Sequence, residues 1–423
     1  MIPFNANSDA AKKIQSFIKE DFTPHFGELQ GAFPSHPRWQ RMKELGTELW
    51  LDTGDPDEIE SLWTREFNAV TTNNTLLNKE IQKGTYDELI PRARRLLREV
   101  ADLTPEQERL ELAFILNARH ALSLVERFDA FVSVEEHTDL ANDAGAAVGY
   151  ARRYYAICPE RFFVKLPLTP AGVLATRRLA SEGIPVNHTL GFSARQNYLV
   201  TRIGQPQFCN VFLGRLNSFV TDNELGDGNY VGERAAIASQ QAVRGLRERH
   251  GLQTRQIGAS LRNGEQVRDL AGLDVLTMPG KAAQPFREMD IAEKQIVDCT
   301  GRDYQPEFYP ETDPEAVRLK TLWDVHKDFV QAVEDLAGEN LDRFSPEDLA
   351  DYIAKRGFPD LFPQWTETQI ETSRQEGKIP DLKNWHTMLE KGEIGLDALM
   401  NLAAINSFTA DQEEMDNRVA GTV

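Results

Sequence analysis

The chain has 423 residues, 41% hydrophobic and 27% charged, which is long enough for one large core plus an accessory region and too apolar for a disordered chain. Its formal net charge of -19 opposes the phosphate backbone of nucleic acid and the anionic surface of membranes, so neither is expected as a partner. Any pocket for an anionic ligand must therefore gather its arginines locally.

Met1 to Lys19 lacks an apolar leader segment, and no apolar run reaches the ~18 residues of a membrane span. Cys158, Cys209 and Cys299 are too dispersed for a disulfide framework, and as small buried thiols they fit a reducing cytoplasm. Residues 1–46 read as a helical lead-in. Short β-like runs then recur at Glu48 to Leu51, Ala69 to Thr72, Ala130 to Glu135, Phe162 to Leu166, Val186 to Leu190, Phe208 to Leu213, Gln256 to Ala259 and Asp274 to Met278. Longer helical patterns separate them, such as the one opened by the capping box Thr104-Pro105-Glu106-Gln107. This alternation is that of an α/β chain with a parallel sheet, and the number of runs fits a (β/α)8 TIM barrel over residues 47–310. Gly226-Asp227-Gly228 with Gly232 lacks dinucleotide-site spacing and reads as a flexible loop.

After Pro279 the β-like runs disappear, and residues 311–423 read as an additional C-terminal helical region. Ser345-Pro346-Glu347-Asp348 supplies an N-cap, an N1 proline and a first-turn acid, with Phe344 and Leu349 as a hydrophobic staple and Gly357 as the stop. Leu396, Leu399, Met400 and Ala403 form a helical stripe expected to pack in a core.

In Phe162-Phe163-Val164-Lys165-Leu166-Pro167 a single lysine interrupts an apolar strand. Period-2 alternation puts Lys165 on one face with Phe163 and Pro167, pointing into the barrel, where burial favours a free amine able to attack a carbonyl. Read alone, a lysine snorkelling at a strand end fits the run as well. Asp52 ends the first run ahead of Thr53-Gly54-Asp55 and is placed either as a general acid/base or as a turn residue, with Asp55 capping the next segment. Asn73, Glu135, and Asn187 with Thr189 around His188 recur at other strand ends, where a barrel assembles its active site. The eight histidines form no metal-binding spacing, and Glu135-Glu136-His137 reads as a strand end entering a solvated loop; neither metal nor cofactor is expected.

These motifs, in order, resemble the transaldolases: Leu51-Asp52-Thr53-Gly54-Asp55, Thr71-Thr72-Asn73, Val132-Ser133-Val134-Glu135, Val164-Lys165-Leu166-Pro167, Asn187-His188-Thr189-Leu190, Phe212-Leu213-Gly214-Arg215 and Gly258-Ala259-Ser260-Leu261-Arg262. The resemblance spans roughly residues 47 to 285 and leaves out the helices after about residue 310. It implies that Lys165 forms a Schiff base, that Asp52 handles the proton of the donor's C4 hydroxyl, and that Glu135 and Thr189 hold the water that relays protons. It also implies that Asn73 and Asn187 bind the dihydroxyacetone part of a sugar-phosphate donor, and that Arg215, Ser260 and Arg262 bind its phosphate. A structural ion pair is the alternative for each arginine. Asn74 replaces a common proline, which is expected to loosen the turn. Asn210 stands where many members have serine facing the donor's terminal hydroxyl. Phe212 stands where fructose-6-phosphate aldolases have tyrosine, and it favours transfer over simple release. The resemblance implies a transaldolase; a sugar-phosphate aldolase with altered donor or acceptor, and a non-enzymatic barrel, are the alternatives. A homo-oligomer is allowed, and the chain does not specify one.

Overall fold

The computed structural model describes residues 3–422. Eight parallel strands close into a barrel in sequence order: β1 (Glu48–Asp52), β2 (Phe67–Thr71), β3 (Phe131–Glu135), β4 (Phe162–Pro167), β5 (Val186–Thr189), β6 (Phe208–Phe212), β7 (Arg255–Ala259) and β8 (Val275–Met278). The expected runs fall on these strands, β2 starting two residues early because Phe67 joins the ladder opposite Leu49. The helix Pro105–Phe128 starts at the expected capping box, with Thr104 Oγ1 accepting from Gln107 N and Gln107 Oε1 accepting from Thr104 N. Asp55 caps the helix Pro56–Leu62.

Aromatic rings plug the bottom of the barrel. Trp50 stacks on Phe163 at 5.7 Å, and Phe163 meets Phe131 and Phe208, each at 5.1 Å between centroids. Strand side chains alternate with a period of two, so the residues two places on along the same face are Asp52, Ser133, Lys165 and Asn210. The aromatic layer therefore lies directly beneath a polar one, which faces the C-terminal ends of the strands.

The helical lead-in contributes Asp9–Ile18 and Pro37–Glu44, and the C-terminal region contributes Lys327–Ala337, Pro346–Lys355, Glu367–Glu376, Leu382–Glu390 and Leu396–Gly421. The helix Pro346–Lys355 has the Ser345 capping box, and Gly357 behind it takes a left-handed φ of +99°, as a terminating glycine does. Leu396, Leu399, Met400 and Ala403 are all 0% exposed, and the first three share one apolar cluster with the barrel strands. The region is also fastened by buried charge: the Arg195 guanidinium donates to Asp397 and Asp360, and Ser193 Oγ donates to Asp397 Oδ2 at 2.6 Å. The expected loop is anchored at its ends, where Gly226 bridges to Phe308 and Gly232 enters the helix Val231–His250 at a point where a Cβ would lie only 2.2 Å from the Leu213 carbonyl oxygen, while Asp227 and Asn229 between them are exposed.

Candidate active site

A cleft of about 410 Å³ opens at the C-terminal ends of the strands. Nine of the expected site residues line it: Asp52, Asn73, Lys165, Asn187, Asn210, Phe212, Arg215, Ser260 and Arg262. Glu135 and Thr189 lie just behind, 4% and 0% exposed.

Lys165 projects from β4 into the barrel with its side chain only 5% exposed. Its Nζ donates to the Thr72 carbonyl at 3.2 Å and lies 3.5 Å from Glu135 Oε1, its neighbour across the β3–β4 ladder. Burial pushes the Glu135 carboxyl above the ordinary range, against the opposing pull of Lys165 and of the Asn74 N–H. Asn74 N donates to Glu135 Oε2 at 3.1 Å, a bond that a proline, lacking the N–H, cannot make. The departure at Asn74 thus adds a donor to the carboxylate beside the lysine rather than merely loosening the turn. Asp52 is likewise pushed up by burial, which outweighs Lys165 and the hydrogen bond from Thr71 Oγ1 at 2.8 Å. Thr277 Oγ1 stands 2.7 Å behind Thr71 Oγ1, and the two hydroxyls orient the carboxylate.

On β5, Asn187 Nδ2 donates to Ser133 Oγ at 2.9 Å while its Oδ1 and Thr189 Oγ1 are buried with no partner among the described residues. The intervening His188 faces outward, where burial lowers its pKa to about 3 and Nδ1 lies 3.0 Å from Thr176 Oγ1. Asn73 caps the helix Asn74–Gln82 through Oδ1, leaving its amide NH2 for a ligand. Asn210 Oδ1 accepts from Gly191 N at 3.4 Å.

Across the cleft stand Arg215 and Arg262. Neither makes an ion pair among the described residues, so the structural-ion-pair alternative does not hold. Arg215 is 6% exposed with Nη1 buried and unpartnered; burial, then repulsion by Arg262, lowers its pKa to about 10. Burial also lowers that of Arg262. Ser260 ends β7 at a left-handed φ of +65°, an uncommon conformation for a serine. Gly214 is required here, because a Cβ would sit 2.1 Å from the Ser260 carbonyl oxygen and 2.7 Å from Arg262 Nε. Lys79, Lys281 and Lys378 also line the cleft, making six basic residues with Lys165 and the arginines against two acids, Asp52 and Glu58.

Sequence reasoning missed those three lysines and Phe408. Lys281 had a signal, since it follows the end of the eighth β run where barrels bind phosphate. Lys378 and Phe408 had none, Lys378 lying in the turn after the helix Glu367–Glu376 and Phe408 in the helix Leu396–Gly421, both in a region that read as scaffold. The expected solvated loop at Glu135-Glu136-His137 is buried: Glu136 is 4% exposed, and His137 Nε2 is 3.0 Å from Asp416 Oδ2 on the C-terminal helix.

No helix among the described residues is long and apolar enough to cross a membrane. A family model described as transaldolase/fructose-6-phosphate aldolase matches residues 49–345, so the likeness runs past residue 310 into the helical region. The chain is 29% identical to a protein named "Probable transaldolase" from Dictyostelium discoideum over 58% of this chain and 77% of that one. It is 28% identical to a transaldolase from Photorhabdus laumondii over 69% of this chain and 90% of the relative. With a transaldolase from Xanthomonas euvesicatoria it shares 31% identity over 56% and 74% of the two chains. An eight-stranded barrel whose cleft holds one interior lysine and unpaired arginines, matched by that family over most of its length, is a member of the transaldolase/fructose-6-phosphate aldolase family.

Proposed function

We propose that the chain is a transaldolase, moving a dihydroxyacetone unit from sedoheptulose 7-phosphate or fructose 6-phosphate to an aldose phosphate through a Schiff base on Lys165. The observation that carries this is the interior lysine beside Glu135, in one cleft with two arginines that have no carboxylate partner among the described residues.

The Lys165 amine adds to the donor's ketone carbon, and water leaves as the iminium forms. Asp52 takes the proton of the C4 hydroxyl, the C3–C4 bond breaks, and its electron pair moves through the iminium to leave an enamine and a free aldose phosphate. The acceptor's carbonyl carbon then bonds to the enamine carbon while its oxygen takes the proton from Asp52. Water hydrolyses the new iminium, releasing the longer ketose and restoring the amine. Glu135 and Thr189 hold that water and pass its protons; the burial of both beside Lys165 and the unpartnered Thr189 Oγ1 support this. Asn187 Oδ1, the Asn73 amide and Asn210 receive the dihydroxyacetone hydroxyls, while Arg215, Ser260 and Arg262 grip the phosphate through charge-assisted bonds. Phe212, in place of a tyrosine hydroxyl at the cleft wall, supports transfer over simple release. The three free, buried cysteines support a reducing, cytoplasmic setting.

Incubation with fructose 6-phosphate and borohydride should leave a stable adduct on Lys165 by peptide mass. A Lys165→Ala protein that still turns over substrate refutes the assignment. Release of free dihydroxyacetone at full rate without an acceptor would instead favour a simple aldolase.

A further inference from the structure

The helix Leu396–Gly421 crosses the barrel mouth over the helix Asn74–Gln82 and carries one aromatic ring into the cleft. Phe408 is 7% exposed, with its ring centroid 5.8 Å from Lys165 Nζ, 5.5 Å from Arg215 Cζ and 6.4 Å from the Phe212 ring. It thus spans the cleft from the lysine to the phosphate end, with both side chains within ~6 Å of its ring. The helix is held at several points around the mouth. Thr75 Oγ1 donates to Asp411, Asn78 Nδ2 donates to Glu414 Oε2 at 2.9 Å, and Asn401 Nδ2 donates to the Leu190 carbonyl at 2.9 Å. Arg94 Nη2 reaches the Val419 carbonyl at 2.8 Å. So many anchors fix one apolar ring where most other lining groups are polar.

We propose that Phe408 is a specificity-determining residue that commits the bound three-carbon unit to transfer rather than release. The inference rests on the Schiff-base reading. For release, a proton from bulk water adds to the enamine carbon; water then adds to the iminium carbon, the C–N bond breaks, and free dihydroxyacetone leaves with the lysine amine restored. For transfer, the enamine carbon bonds instead to an acceptor aldehyde anchored by its phosphate. Phe408 covers the cleft side of Lys165 and excludes the bulk water that the first course needs, while leaving Glu135 and Thr189 to supply the water for hydrolysing the product iminium.

The test compares wild type, Phe408→Ala and Phe408→Leu with fructose 6-phosphate as donor. It measures free dihydroxyacetone formed without acceptor and ketose formed with erythrose 4-phosphate. The release-to-transfer ratio should rise about tenfold or more in Phe408→Ala, equivalent to ~1.4 kcal/mol between the two barriers, and by less in Phe408→Leu. A merely structural role would lower both rates together and leave the ratio unmoved. A ratio within about twofold of wild type, in a variant that still gives the borohydride adduct, overturns this inference alone; if Phe408→Ala does not fold, the Leu variant decides it by the same criterion. Absence of an adduct in the wild-type protein removes the Schiff-base reading and this inference with it.

Discussion

Replacing Arg215 with methionine should make the protein more stable and a poorer enzyme. The guanidinium is 6% exposed, Nη1 is buried without a partner among the described residues, and burial with Arg262 lowers the pKa from the ordinary arginine range to about 10. At ~1.4 kcal/mol per unit, that lowering corresponds to about 3 kcal/mol of penalty on the charged form. The size agrees with the ~1–3 kcal/mol of a buried polar group left unpaired. Methionine keeps much of the apolar stem and removes the charge, so the free protein should gain about 1–3 kcal/mol. Unfolding entropy of ~2.1 cal/mol/K per residue gives ~0.9 kcal/mol/K for 423 residues, hence a Tm increase of about 1–3 °C. Against this, one charge-assisted bond to phosphate of ~1.5–3 kcal/mol is lost, and kcat/KM for fructose 6-phosphate should fall about 10- to 150-fold. Activity with unphosphorylated fructose should not fall by that factor. Calorimetry with and without inorganic phosphate, beside kinetics on both donors, separates the effects: phosphate should raise the wild-type Tm more than the variant's. A variant with a lower Tm and undiminished kcat/KM for fructose 6-phosphate would refute the reasoning.

Asp52→Asn should lower transfer by about 100-fold or more while the borohydride adduct persists; equal transfer in the two proteins removes Asp52 from the chemistry. Because burial raises the folded pKa of Asp52 above 3.8, its favourable state is the protonated one, present at low pH and lost as pH rises through the folded value. The stability of Asp52→Asn relative to wild type should therefore improve as pH rises from about 4 through the raised folded value, and paired melts that show the reverse contradict the burial argument. Asn74→Pro keeps an allowed N1 residue, since Asn73 before it is extended, but deletes the N–H bonded to Glu135. The acid limb of its kcat profile should move to higher pH, and an unmoved limb shows that this bond does not tune Glu135. Deleting the chain from residue 311 should yield insoluble protein, because Leu396, Leu399 and Met400 leave the barrel's own core cluster; a soluble, active product shows the helices to be dispensable.

How much was legible depended on whether a feature is written in a local pattern. The strands and Lys165 were readable because side chains alternate across a pleat, so one lysine among phenylalanines must share their face. Arg262 was readable through the resemblance, with which the end of the seventh strand, a fixed place in a barrel, agrees. Phe408 was not, because the contact joins residues far apart in sequence and the helix around it patterns as core. The role of Asn74 was hidden for a different reason: its backbone N–H bonds Glu135 whatever the side chain, and only the proline it replaces would have withdrawn it. Glu136 was misjudged because a carboxylate just past a strand end usually meets water, whereas here the C-terminal helix docks onto His137 beside it.

These features have a common cause in the arrangement of charge. A protein of net charge -19 has carboxylates to spare, yet Arg215 and Arg262 stand outside ion-pair distance of all described ones while Arg195, as buried as Arg215, pairs with both Asp360 and Asp397. On the proposed reading the two sets differ in purpose: a paired guanidinium has spent its geometry, whereas an unpaired one retains its donors for a phosphate arriving from water. Keeping it unpaired requires a wall that contributes no acid, and on the outer side the wall is Phe408, whose ring faces Arg215 without offering it a proton acceptor. The same ring faces Lys165, so in the proposed transfer one apolar residue would keep the phosphate end available and the lysine dry. The C-terminal helix is then part of the cleft's electrostatics, and replacing Phe408 with an acid should do more harm than replacing it with alanine: phosphate would have to compete with a tethered carboxylate for Arg215, raising KM for phosphorylated donors. A Phe408→Glu protein whose KM matches that of Phe408→Ala would show that the ring acts on the lysine end alone.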